Sequence, residues 1–139
     1  VGRILAIDYG RKRTGIAVSD PLQLIAGGLT TVDTKELERY VTDYMAREEV
    51  SCIVVGKPTT MGGAPSETMR FIQPLVERLR RAHPEVEVVL YDERFTSVLA
   101  HRAMIDGGLR KMARRDRGLV DKVAATIILE DYMASQSRV

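Results

Sequence analysis

Three carboxylates, Asp8, Glu93 and Asp121, are the residues of this chain whose types and placement could do chemistry together. Asp8 closes the first apolar run, Glu93 closes a later one, and Asp121 opens a terminal helical pattern. Each stands where a strand or helix end would push it into a common crevice. Acids that converge without histidine or cysteine suit hard divalent cations, which take oxygen ligands. Such a site beside basic loops points to phosphodiester chemistry.

Each acid also has a plainer reading. An aspartate at a strand end costs free energy unless it is solvated, paired or coordinating, but Asp8 could simply accept turn hydrogen bonds ahead of Gly10. Asp92 and Glu93 are neighbours on a strand and point to opposite sides, so only one should face a site. Glu93 is the choice here and Asp92 the surface or supporting group, with a solvated acidic turn as the alternative. Asp121 shares a helical row with Ala125, Ile128 and Tyr132, beside the row Ala124, Ile127 and Asp131. An acid on that small, apolar face points toward a sheet. Complementing the positive helix N-terminus would be the competing role, but it would apply equally on a solvent face.

Two basic runs flank these acids. Arg11, Lys12 and Arg13 follow Asp8, and Arg110, Lys111, Arg114 and Arg115 precede Asp121. Either alone reads as a solvated face. Together, around one acidic crevice, they suit contacts to a nucleic-acid backbone. Aromatics are sparse, so stacking on unpaired bases has little support from composition.

The elements that must position these groups follow from periodicity. Residues 3 to 9 and 15 to 19 read as a hairpin across a basic turn, and a third strand is expected around Gly28 to Val32. Thr34 looks like a cap for a helix running to about Glu49, with Leu37, Tyr40, Val41, Tyr44 and Met45 as its stripe. Ser51 to Gly56 is a continuous apolar run, the pattern of a strand buried on both faces of a parallel sheet. A helix with Met69, Ile72, Val76 and Leu79 on its stripe follows, with Pro74 expected to kink or break it. Val86 to Tyr91 is the next strand, Thr96 is placed to cap a helix to about Ile105, and Val120 to about Met133 forms the last helix. A hairpin meander followed by alternating β and α elements predicts a mixed five-stranded α/β sheet with parallel later strands.

Length and composition agree with one ordinary domain over 1–139: 139 residues, 45% hydrophobic, with formal charge +2. That charge is too small to argue nucleic-acid binding, so its distribution has to carry the argument. The longest apolar runs fall short of a membrane span and the first residues lack a signal-peptide pattern, so a cytoplasmic location without membrane association is expected. Cys52 sits in an apolar strand and reads as a small core hydrophobe; His83 and His101 lack zinc-ligand spacing and read as surface or helix-end residues. Gly56-Lys57 is not a phosphate-binding P-loop, because Ser51 and Pro58 occupy positions that need Gly and Ser or Thr.

Four ordered motifs resemble the YqgF/RuvX family: Asp8-Tyr9-Gly10 with Thr14 to Ser19, Val55-Gly56-Lys57-Pro58, Asp92-Glu93-Arg94-Phe95-Thr96, and Val120 to Leu129. The resemblance spans essentially the whole chain. It implies an RNase H-like fold related to the RuvC Holliday junction resolvase, and a nuclease acting in 5′-end maturation of pre-16S rRNA or in junction resolution. By motif, Asp8, Glu93 and Asp121 would be its metal-binding catalytic acids, with Arg94 near phosphate and Thr96 a cap. Lys57 stands where that family commonly has Leu, and Thr59 to Gly63 replaces an Asn- and Asp-containing stretch, which touches substrate contacts and spares the acids.

The reading that follows is a Mg2+- or Mn2+-dependent nuclease whose partner is structured RNA or branched DNA. A non-catalytic nucleic-acid-binding module is one alternative. An ATP-binding domain is another, since Asp8-Tyr9-Gly10 with Gly15 resembles the first phosphate loop of actin-like ATPases. Paired cuts at a junction would need a homodimer, whereas end trimming needs one site.

Overall fold

A computed structural model describes residues 2–57, 67–92 and 117–136, with the backbone alone for 117–121. Three strands come first: β1 (Arg3–Asp8), β2 (Arg13–Ser19) and β3 (Ala26–Asp33). A 3-10 turn over Thr34–Glu36 leads into α1 (Leu37–Arg47), then β4 (Val50–Lys57), α2 (Met69–Ala82), β5 (Glu87–Asp92) and α3 (Arg117–Gln136).

The sheet order is β3-β2-β1-β4-β5. Short connections force β1, β2 and β3 into antiparallel hairpins, while the longer helical crossovers return β4 beside β1 and β5 beside β4 in parallel. This mixed five-stranded sheet with helices on both faces is the RNase H-like fold. Because β1 and β4 are central, both their faces are covered, and Leu5, Ala6, Ile7, Ile53, Val54 and Val55 have no exposed surface. That is why the Ser51 to Gly56 run is apolar without alternation.

Side chains alternate between two cores with the period of the strands. Leu5, Ile7, Ile53, Val55 and Val88 face Leu37 and Val41 of α1 and Ile72, Val76 and Leu79 of α2. Ile4, Ala6, Ala17, Cys52 and Val54 face Ala124, Ala125, Ile128 and Leu129 of α3. The α3 core is built from small residues. Ala6 pairs with Ala17 and Ala17 with Gly28, so a row of small groups crosses three strands beneath the helix. A Cβ at Gly28 would stand 2.7 Å from Lys122 Cγ, so the helix lies almost on the backbone there.

Several local expectations change. α2 runs through Pro74 without a break. The carbonyl of Arg70 loses its helical partner, but Arg70 and Pro74 are exposed, so water can serve it, and buried Met69, Ile72, Leu75, Val76 and Leu79 hold the rest. α3 starts at Arg117 instead of Val120, which puts Asp121 beyond the first turn and removes most of the helix-dipole role. Thr34 caps no helix: its hydroxyl donates to the Gly10 carbonyl and lies 2.9 Å from the Thr14 hydroxyl. His83 is at a helix end as expected, but it is buried beside Thr42 instead of lying at the surface. The expected helix after Thr96, and His101, lie outside the described residues.

Candidate metal and nucleic-acid site

β1, β4 and β5 are parallel, so Asp8, Lys57 and Asp92 mark one carboxyl edge of the sheet, where open α/β folds collect ligands. Asp8 is 7% exposed and is the one acid among the buried described residues. It shares strand parity with Ile4 and Ala6, so it belongs to the face that α3 covers.

The backbone just after Asp8 is held rigidly. Gly10 accepts from Thr34 Oγ1 through its carbonyl and donates to Thr14 Oγ1 through its N–H, while Thr34 N–H donates to the Lys12 carbonyl at 2.9 Å. A side chain at position 10 would collide with the Arg13 carbonyl oxygen, so the turn has room only for glycine. Thr14 itself is fully buried. A latch of two threonines from β2 and the end of β3 therefore fixes the turn that carries both Asp8 and the basic residues.

α3 brings position 121 toward the same edge. Its last turns, at Met133 and Gln136, share a cavity with Ile4, Ser51 and Glu87 at the amino ends of the strands. Lys122 lies over Gly28, midway along β3. The helix thus climbs toward the carboxyl edge as its numbering falls, and residue 121 lies one turn beyond Ala125 in the row that packs on the sheet.

On β5, Leu90 packs with the α1 and α2 core and Tyr91 with the α3 core. Alternation puts Asp92 on the side away from Asp8. Glu93 and Arg94 lie outside the described residues, as do Arg110, Lys111, Arg114 and Arg115. Among the described residues no three acid, histidine or cysteine side chains gather to hold a metal. Of the expected trio, that group includes only the side chain of Asp8.

The basic turn is where the sequence put it. Arg11 and Lys12 are exposed, Arg13 is partly buried at the start of β2, and with Asp33 and Lys35 they line a groove of about 400 Å³. Lys35 was not among the expected residues; only the fold of β3 against the hairpin brings it there. Two more groups escaped the sequence. The Arg11 guanidinium stands over the Phe71 ring at 4.8 Å, and Arg70 over the same ring at 5.3 Å. The signal was present in the α2 stripe, which leaves Phe71 on the outer face, 38% exposed.

The opposite edge has different chemistry. Cys52 Sγ lies 3.8 Å from the Tyr132 hydroxyl, in the wall of a cavity of about 500 Å³. Burial pushes the Cys52 thiol up, against a smaller lowering by Tyr132. Burial also raises the Tyr132 phenol, with Cys52 adding to the effect. Both stay neutral at physiological pH, and Cys52 behaves as the expected core hydrophobe.

The comparisons with known proteins agree with this architecture. A family model described as "RuvX: Holliday junction resolvase" matches residues 2–135. A protein of Parabacteroides distasonis described as "Putative pre-16S rRNA nuclease" is 53% identical over 136 residues, covering 98% of this chain and 97% of that one. Proteins of the same description from Bacteroides thetaiotaomicron and Porphyromonas gingivalis are 54% and 50% identical, covering 98% and 99% of this chain and 99% and 100% of theirs. With a match over nearly its full length and half its residues shared with such relatives, the chain belongs to the RuvX Holliday junction resolvase family.

Proposed function

We propose that this protein is a divalent-metal-dependent nuclease in which Asp8, Glu93 and Asp121 hold Mg2+ or Mn2+ at the carboxyl edge of the sheet. The observation that carries the reading is Asp8: a carboxylate buried at a strand end, on the face approached by α3, on a turn held by two threonines and followed by three basic residues. Oxygen donors of this kind fit a hard cation, and burial favours a group that a cation would compensate. When bound, the ions would activate water and stabilise the leaving oxygen of a phosphodiester.

The protein's own groups supply position and charge. The Thr14–Thr34 latch keeps the Asp8 turn from relaxing. Arg11, Lys12 and Arg13, with Arg94, Arg110, Lys111, Arg114 and Arg115, would neutralise the phosphate backbone on either side of the acids. Such contacts orient the strand without reading its sequence. A purely binding role is the poorer fit, since a buried carboxylate beside phosphate repels it.

The descriptions of the relatives favour the 5′ end of pre-16S rRNA as substrate, and that of the family favours four-way junction DNA. Cleavage of both by the same preparation, in Mg2+ and in Mn2+, tests the function and separates the substrates. Asp8→Asn should lower cleavage at least about 100-fold, the upper range for losing even an outer partner of a metal site. Unchanged cleavage by Asp8→Asn would end the assignment. Binding without cleavage in either metal would select a non-catalytic module.

A further inference from the structure

Phe71 is an exposed aromatic among the described residues, and the arginines beside it differ from the ion-paired arginines nearby. On α1 and α2, Arg39, Arg78 and Arg80 each sit within ion-pair distance of a glutamate. Arg11 and Arg70 have no carboxylate partner among the described residues; both instead lie over the Phe71 ring, at 4.8 and 5.3 Å. Arg70 neighbours the ring in sequence, and folding brings Arg11 to it from the β1–β2 turn. Two guanidinium charges near one ring, with no carboxylate partner among the described residues, attract an anion. The ring keeps 38% of its surface open to solvent.

A partly open ring with guanidinium planes over it is what an unpaired nucleotide needs: a ring or guanidinium plane for the base to stack on and charge for the phosphate. A paired base offers no free face, so a duplex gains only the charge. Arg11 follows Asp8 by three residues, a backbone span of at most about 11 Å, so the ring that Arg11 reaches belongs to the same end of the sheet as Asp8.

We propose that Arg11, Phe71 and Arg70 form a platform for an unpaired nucleotide flanking the phosphodiester that is cut, so that the preferred substrate carries a single-stranded segment beside the cleavage point. This rests on the nuclease reading for its placement along the substrate. RNA and DNA strands share the chemistry, and the test has an arm for each.

The chain contains no tryptophan, so Phe71→Trp creates a lone indole reporter at the platform. The variant is titrated in EDTA with a 12-nucleotide single-stranded RNA, the same sequence as DNA, and blunt hairpins of equal charge, following emission and anisotropy together. Quenching by the single strands, and weak or no quenching by the blunt hairpins, is expected. Phe71→Leu, which keeps an apolar contact for the arginine stems, should weaken single-strand binding about five- to a hundred-fold and leave blunt hairpins nearly unaffected. Arg11→Ala and Arg70→Ala should each make the dependence of log affinity on log salt shallower by about 0.7 for single strands. Unchanged indole emission in Phe71→Trp while anisotropy reports bound single strand overturns the platform, and so does equal loss of affinity for single strands and blunt hairpins in Phe71→Leu.

The two readings fail separately. Cleavage by wild-type protein, with unchanged indole emission in Phe71→Trp, removes the platform and leaves the nuclease. Quenching of that indole without cleavage in Mg2+ or Mn2+ keeps the platform and removes the nuclease.

Discussion

The two edges of this sheet make opposite use of polar groups. Among the described residues, the amino edge holds a cavity of about 500 Å³ with a thiol, a phenol, a serine and a carboxylate in its wall. Its reactive-looking groups are satisfied internally or kept neutral: burial raises Cys52 and Tyr132, and the Gln23 amide donates to the Gly2 carbonyl at 2.7 Å. At the carboxyl edge a groove of about 400 Å³ is mostly cationic, and the chain invests two threonines and an obligatory glycine in fixing the turn after one buried carboxylate. What marks the carboxyl edge is basic charge gathered around a turn fixed by hydrogen bonds.

Perturbing the helix that joins the two edges should have the largest effect on stability. Ala17→Leu places a large side chain in the small-residue row under α3, and should cost about 1–3 kcal/mol in denaturant unfolding. Because it also lifts the helix carrying Asp121, nuclease activity should fall even where the protein is fully folded. Gly28→Ala is the smaller counterpart: its Cβ would stand 2.7 Å from Lys122 Cγ and 3.1 Å from Thr126 Oγ1, so α3 has to give by a few tenths of an ångström.

Thr34→Val sharpens the contrast at the carboxyl edge alone. It removes the donor to the partly buried Gly10 carbonyl and the partner of Thr14, at a cost of about 0.5–1.5 kcal/mol. Activity should drop more than thermal stability predicts, because the turn carrying Asp8 loosens. Tyr132→Phe is the matching change at the amino edge. It deletes a long contact to sulfur, so it should cost no more than about 1 kcal/mol and leave cleavage unchanged. Equal activity losses in Thr34→Val and Tyr132→Phe would erase the distinction between the edges.

The smallest effect concerns the β2–β3 loop. Asp20 accepts from the backbone N–H groups of Ile25, Leu24 and Leu22, the first of which does most to hold its carboxyl below the ordinary value of 3.8. A carboxyl lowered by folding contributes order that is present above its unfolded value and lost as pH falls through the folded one. Amide shifts of Leu24 and Ile25 should accordingly stay constant from neutral pH down to about pH 5 and move together only below the ordinary carboxylate range. Movement between about pH 5 and 7 would contradict this assignment.

Much of this architecture was legible in the residues. Continuous apolar runs located β4 and β5 to within a residue or so, and the Ala124–Ala125 pair announced a closely packed helix. Asp8 was legible as a charge at the end of an apolar strand. The failures share a cause. Thr34 has the type and position of a cap, but Gly10 and Thr14, distant in sequence, claim its hydroxyl. Pro74 reads as a break because local rules cannot weigh the buried residues on both sides of it. Phe71 and Arg70 gained meaning only when folding brought Arg11 to them, and Lys35 only when β3 closed on the hairpin. Local patterns show what one element wants; long-range contacts decide how its polar groups are used.

The proposed divalent-cation site lies at the carboxyl edge of the sheet and not at the amino edge. Mn2+ binding followed by electron paramagnetic resonance in wild type, Asp8→Asn and Cys52→Ala tests it without relying on turnover. Wild type and Cys52→Ala should bind Mn2+ alike, and Asp8→Asn should lose at least about tenfold in affinity while keeping its circular-dichroism melt. Equal Mn2+ affinity in wild type and Asp8→Asn would contradict the account.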